Sequence, residues 1–180
     1  MGNVGEAEQE ACWQGLADGT FDLFSSDHCP FRYEGLDGKN NAKGAKNFRH
    51  IPNGIPGVET RLPILFSEGV LKGRIDIHKF VAVTSTNQAK TYGLYPQKGT
   101  LAIGSDADIA IWDPELEREV RHADLHDGAD YSPYEGLRLR GWPVTVMLRG
   151  KVMVRNGQLE GAMGDGGYLK RNTSQAHGFR

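Results

Sequence analysis

Ser25, Ser26, Asp27, His28, Cys29 and Pro30 form the densest run of reactive side chains in this sequence. A carboxylate such as Asp27 can ligate a divalent metal through oxygen, and it can take a proton from a water that attacks an amide carbonyl. In a strand, alternation puts Leu23, Ser25 and Asp27 on one face and Phe24, Ser26 and His28 on the other, so Asp27 and His28 cannot reach one metal together. Cys29 precedes Pro30, which holds its backbone extended. The triplet also suits a plainer role, with Asp27 accepting hydrogen bonds from the next turn and His28 in ordinary packing.

A second cluster spans residues 51–59, Ile-Pro-Asn-Gly-Ile-Pro-Gly-Val-Glu. Two prolines around Asn53-Gly54 fix the backbone and present amide groups at a helix entrance, an arrangement suited to a polar, amide-like ligand or simply to a rigid helix start. Between the clusters, Lys39, Lys43, Lys46, Arg49 and His50 form the one basic stretch, expected to be a solvated loop. The remaining histidines, His78, His122, His126 and His177, pair with no second histidine in an H-x-H or H-E-x-x-H pattern, and none does for His50. The glycines from Gly161 to Gly167 lack the helix and the Gly-Lys-Ser/Thr of a phosphate cradle.

These residues need elements to hold them. Residues 6–16 carry apolar positions at helical spacing and stop before Asp18-Gly19. Residues 21–27 read as a strand closed by Pro30, with Asp27 at its C-terminal tip, and residues 32–57 as a long loop rich in Gly, Pro and Asn. Helices are expected over 58–71 and 76–92, the second capped by Asp76 and ended by Gly93. After Gly99 the texture becomes β: residues 100–103, 107–114, 144–149 and 151–157 read as short strands, with a hairpin at Gly150. The expected division is therefore an α/β segment over 1–98, a β segment over 99–157 and an extended tail over 158–180.

A charged fraction of 24% and a hydrophobic fraction of 38% describe a soluble globular chain. A net charge of -2 gives no general attraction to nucleic acid or to a membrane surface, and neither partner is expected. Residues 1–8 carry no basic and apolar leader pattern, which makes a cytoplasmic location the expectation. Cys12 and Cys29, the only cysteines, are expected as buried thiols in a reducing compartment.

Three stretches together carry a resemblance: Ser26-Asp27-His28-Cys29-Pro30-Phe31, residues 51–61 ending Val-Glu-Thr-Arg, and residues 99–109 reading Gly-Thr-Leu-Ala-Ile-Gly-Ser-Asp-Ala-Asp-Ile. In this order they resemble the C-terminal part of dihydropyrimidinases and D-hydantoinases, the cyclic-amide branch of the amidohydrolase superfamily. The third is shared across that superfamily; the first two point to the cyclic-amide branch and to its non-enzymatic dihydropyrimidinase-related relatives.

The resemblance implies a metal-dependent (β/α)8 barrel hydrolase with a flanking β-sandwich, of which this chain is the C-terminal portion with α/β plus β content. It implies a binuclear zinc site, with Asp27 as metal ligand and proton shuttle and Asn53 as the residue whose backbone holds a small cyclic diamide. Asp106 and Asp108 would be structural, within a sandwich strand. The family's other ligands, an H-x-H pair, a carbamylated lysine and two later histidines, are expected before Met1, so the isolated chain should have little activity. The implied partners are a homo-oligomer or a complementing N-terminal portion. A non-catalytic oligomerisation module is the alternative reading.

Overall fold

The computed structural model describes residues 5–173. Helix α1 (Glu6–Asp18) opens it, with Glu6 and Glu8 in a first turn where the helix dipole favours acidic charge, and ends on Gly19 at φ 87. It buries Gly15 and Leu16, while Cys12 is exposed because that face is uncovered. Cys29 is half-buried, and both thiols are free, so the two buried thiols expected from the sequence are not found.

Helix α2 (Arg61–Ile64) runs on through a widened π turn at Leu65–Val70. Pro63 sits in its first turn, where no intrahelical donor is lost. Helix α3 (Ile77–Val81) continues through a second π turn at Ala82–Thr86 into α4 (Asn87–Thr91). The Asp76 side chain accepts from Lys79 N at 2.7 Å, and Gly93 follows at φ 69, so both expected signals operate.

The sheet has four antiparallel strands in the order β1 (Ile109–Glu119), β2 (Arg138–Leu148), β3 (Lys151–Arg155) and β4 (Gln158–Leu159). The expected hairpin forms at Arg149-Gly150, both at positive φ. After Gly99, four strand expectations need correction, the first being that β2 starts at Arg138, well before residue 144. Strand β1 runs past Pro114 because a register shift between Asp113 and Glu117 accommodates the proline. Residues 100–103 are not a strand: they turn outward, with Leu101 and Ile103 exposed. The tail begins as sheet, since Gln158 and Leu159 pair with Arg155 and Val154. Residues 174–180, which include His177, lie outside the described residues.

One apolar cluster joins helices to sheet: Leu16, Leu65, Phe66, Ile75, Phe80 and Val83, with Trp112 of β1 packed against them. The Trp112 ring stacks on Phe66 at 4.7 Å and meets Phe80 edge-on at 5.5 Å. A second cluster, Val120, Leu139 and Trp142, has Ile64 of α2 packed against it. The helix formed by α2 and its π turn thus touches both clusters, through Leu65 and Phe66 on the first and Ile64 on the second, and its N-terminal end is entered by the loop at 51–59.

Candidate functional site

Residues 21–27 do not form the expected strand. A strand needs a neighbouring backbone, and here the segment lies against helices whose groups take its polar atoms instead. Phe24 N donates to Val83 O at 2.8 Å, while Phe24 O accepts from Arg61 Nη1 at 3.0 Å and Gln88 Nε2 at 2.8 Å. Asn87 Nδ2 donates to Asp22 O at 2.9 Å. Burial lowers the Arg61 guanidinium from its ordinary value. Asp27 therefore follows an extended, helix-clasped segment, and its side chain is exposed.

The two clusters named from the sequence do meet. His28 and Ile55 form a single parallel bridge, and Cys29 N donates to Ile55 O at 3.1 Å. Gly54, at φ 78, fits against this join: a Cβ there would lie 2.3 Å from Cys29 Cβ and 3.2 Å from the Asp27 carbonyl oxygen. Only glycine allows both the dihedral and the approach. Asp27 and Asn53 thus occupy adjoining ends of two segments laid side by side, both exposed.

His28 has a role beyond ordinary packing. Its Nδ1 accepts from Gly57 N at 3.1 Å and from Val58 N at 3.3 Å, which places the ring proton on Nε2. The Gly57 and Val58 amides are consequently occupied by this ring, which agrees with the rigid helix start among the two readings given for residues 51–59. Glu59 faces the other way, accepting from His126 N at 3.0 Å and pairing with His126 Nδ1 at 3.1 Å.

The long loop is ordered by polar contacts. Asn41 is buried, donates to Gly38 O at 2.7 Å and His50 O at 2.9 Å, and accepts from Gly44 N at 2.7 Å. Lys39, expected in solvent, is half-buried and donates to Pro52 O at 2.6 Å and Gly54 O at 2.5 Å. Asp130, in the β1–β2 connection, accepts from Tyr33 N at 2.5 Å and Glu34 N at 3.2 Å. The Tyr33 amide in particular holds the Asp130 carboxyl below the ordinary carboxylate value. Sequence reasoning missed Lys39, His28 and Asp130 because each acts on backbone groups distant in the chain, which leaves no spacing signature.

Asp106 and Asp108 lie just before β1, not within a strand. Both carboxylates meet the Lys98 ammonium, and Asp108 also accepts from Arg149 N at 2.9 Å. Desolvation of Lys98 is outweighed by these two hydrogen bonds, so its pKa is raised, while the Lys98 contact lowers Asp106. The pair fastens the chain between α4 and β1 to the hairpin.

Among the described residues, no three His, Cys, Asp or Glu side chains converge on one point. A zinc site normally needs at least three protein ligands, so the residues present do not fit a complete metal centre, and Asp27 is a single available carboxylate. No helix among the described residues is long and apolar enough to cross a membrane.

The chain belongs to the amidohydrolase family, whose sequence pattern matches residues 3–153. More particularly, it is 46% identical over 164 residues to a D-hydantoinase of Rhizobium radiobacter, covering 91% of this chain and 35% of that protein. A D-hydantoinase of Geobacillus stearothermophilus is 45% identical over 163 residues, with 91% and 34% covered. The crystal structure of a dihydropyrimidinase from Brevibacillus agri superposes with a TM-score of 0.88 at 44% identity, covering 94% of this chain and 36% of that one. The chain thus spans about a third of the length of the curated relatives it matches.

Proposed function

We propose that this chain is the C-terminal third of a cyclic-amide hydrolase of the hydantoinase and dihydropyrimidinase type, working together with the remaining two-thirds of such an enzyme, whether joined to it or supplied separately. The carrying observation is the juxtaposition of the Asp27-His28-Cys29 and Asn53-Gly54-Ile55 segments, in a chain 46% identical to a D-hydantoinase. In this reading residues 1–98 contribute the last part of a (β/α)8 barrel, 99–157 part of a flanking β-sandwich, and 158–180 a tail that engages neighbouring copies in a homo-oligomer.

The reaction opens a hydantoin or dihydropyrimidine ring to an N-carbamoyl amino acid. Water adds to the ring carbonyl carbon, the carbon–nitrogen bond breaks, and a proton must leave the water and reach the departing nitrogen. Asp27 carries that proton, its exposed carboxylate lying at the end of a clasped segment. Asn53 holds the ring: one backbone N–H and one C=O complement the alternating C=O and N–H of a cyclic diamide. Asp27 also offers one oxygen ligand towards the binuclear zinc centre of such enzymes, and the described residues bring no further cluster of ligands to it.

The test is a ring-opening assay on hydantoin and dihydrouracil, with zinc content measured in parallel. The chain alone should neither turn over substrate nor hold stoichiometric zinc. Completed with the other two-thirds of a hydantoinase it should do both, and Asp27→Asn should then lower kcat by about 10²–10⁴. Full activity in the completed Asp27→Asn enzyme would sink the assignment.

A further inference from the structure

The Asn53 segment is fastened by groups on both sides of it, while no group of Asn53 itself is hydrogen-bonded to a described residue. The fastening group is one ammonium. Lys39 Nζ donates to Pro52 O at 2.6 Å and to Gly54 O at 2.5 Å, the carbonyls immediately before and after Asn53. Both peptide bonds are trans, and in a planar trans peptide the C=O and N–H point in opposite directions. With both carbonyls turned to Lys39, the N–H groups of Asn53 and Ile55 are turned away from it. The ammonium thus fixes the side to which the unpartnered Asn53 N–H is turned, while Ile55 lies against residues 28–29, and hydrogen bonds from a charged donor are the stronger kind.

Lys39 is itself held in place. It sits at the end of a closed loop, with Lys39 N donating to Arg32 O at 2.9 Å and Asn40 N to Tyr33 O at 2.8 Å. The start of that loop is pinned by Asp130, and the Tyr33 ring meets Tyr131 edge-on at 5.6 Å. A continuous set of contacts therefore runs from the β1–β2 connection through residues 32–40 to the two carbonyls around Asn53. His28 secures the far end of the same loop at Gly57 and Val58.

We infer that Lys39 is a positioning residue for the ring-binding loop: by clamping Pro52 and Gly54 it sets the Asn53 backbone edge against a cyclic diamide, and the β1–β2 connection holds the clamp. The inference rests on Asn53 as the ring-holding residue of the proposed function. The Lys39 ammonium bonds to Pro52 O and Gly54 O and not to Asp27, so its loss acts on substrate capture and not on the proton transfer.

The experiment compares Lys39→Met and Lys39→Arg in the completed enzyme with dihydrouracil and hydantoin as substrates. Lys39→Met should raise KM about tenfold or more while kcat and zinc content stay within about twofold, the split expected when binding geometry alone is disturbed. Lys39→Arg, which keeps a cation able to donate to two carbonyls, should recover most of the loss. An unchanged KM in Lys39→Met, or an equal fall in kcat, overturns the inference. A second measurement needs no turnover: in the 15N-labelled chain, Lys39→Met should shift the amide signals of Asn53, Gly54 and Ile55 and leave those of Gly57 and Val58 in place. Unmoved signals would overturn the clamp. Signals moved by Lys39→Met, together with a completed wild-type enzyme that opens neither ring, would support the clamp and refute the proposed activity instead.

Discussion

The helical layer and the loop at 28–57 are held by different physics. Around Leu65, Phe66, Phe80 and Val83 the contacts are apolar and close-packed, and Trp112 of β1 completes the cluster from the sheet. In the loop, few large apolar side chains are buried, and Phe31, Tyr33, Leu36, Phe48 and Ile51 are all exposed. Its shape comes from single polar side chains that each gather several backbone groups: Asn41, Lys39, His28 and, from outside, Asp130. Apolar packing spreads its stabilisation over many weak contacts, whereas a polar clasp concentrates it in a few directional ones. The candidate site lies on the clasped side, where one side chain can set the direction of a backbone edge.

The sharpest way to break this contrast is to damage the packed side. Leu65 is fully buried, so Leu65→Ala should lower the unfolding free energy by about 2–5 kcal/mol through lost transfer energy and an unfilled cavity. Chemical denaturation monitored by Trp fluorescence checks it. Sheet and helices should be lost in one transition, because Trp112 ties them together. A loss well under 1 kcal/mol, the scale of an ordinary surface change, would mean that the cluster does not carry the fold.

On the clasped side the corresponding change is Asn41→Ala. It leaves Gly38 O, His50 O and Gly44 N without the partners they now share. Unsatisfied buried polar groups cost about 1–3 kcal/mol, so a smaller loss than for Leu65→Ala is expected. It should be confined: amide exchange should quicken over residues 38–50 and stay slow in α2 and in β2. Equal quickening in both regions would show that the loop and the packed layer unfold as one unit.

The same contrast explains what could be read from the sequence. The helix capped by Asp76 and ended before Gly93, and the hairpin at Gly150, follow from local signals: a capping carboxylate, a left-handed glycine, alternation around a turn. The join of His28 and Cys29 with Ile55 was not legible, since nothing in their spacing brings residues 28 and 55 together. The strand expected over 21–27 failed because its alternation is real but its hydrogen-bonding partners are Arg61, Gln88, Asn87 and Val83, not another strand. Lys39 looked like one more solvated cation in a basic stretch. The acceptors that bury it are two backbone carbonyls, and a carbonyl leaves no mark in an amino-acid sequence. Asp130 lies 97 residues from the Tyr33 amide it caps, beyond any periodic pattern.

The smallest expected effect concerns Asp130, and its sign follows from the contacts. The Tyr33 and Glu34 amides favour the ionised carboxylate, so its pKa in the folded chain lies below the ordinary value of 3.8, with Arg32 adding to the same direction. A depressed carboxylate contributes stability above its unfolded pKa and loses it as pH falls through the folded one. The pin on residues 32–40 should therefore be intact at neutral and mildly acidic pH and weaken only below 3.8. Because Asp130 is at the surface, water and salt screen the contact, and the change should be local and modest. The Tyr33 and Glu34 amide proton signals report it directly, shifting together with a midpoint below 3.8. In Asp130→Asn that step should vanish, and both signals should already sit near their acid positions at neutral pH. Should the two amides titrate at or above the ordinary value, or ignore the substitution, the β1–β2 connection would not be holding the turn that carries Lys39.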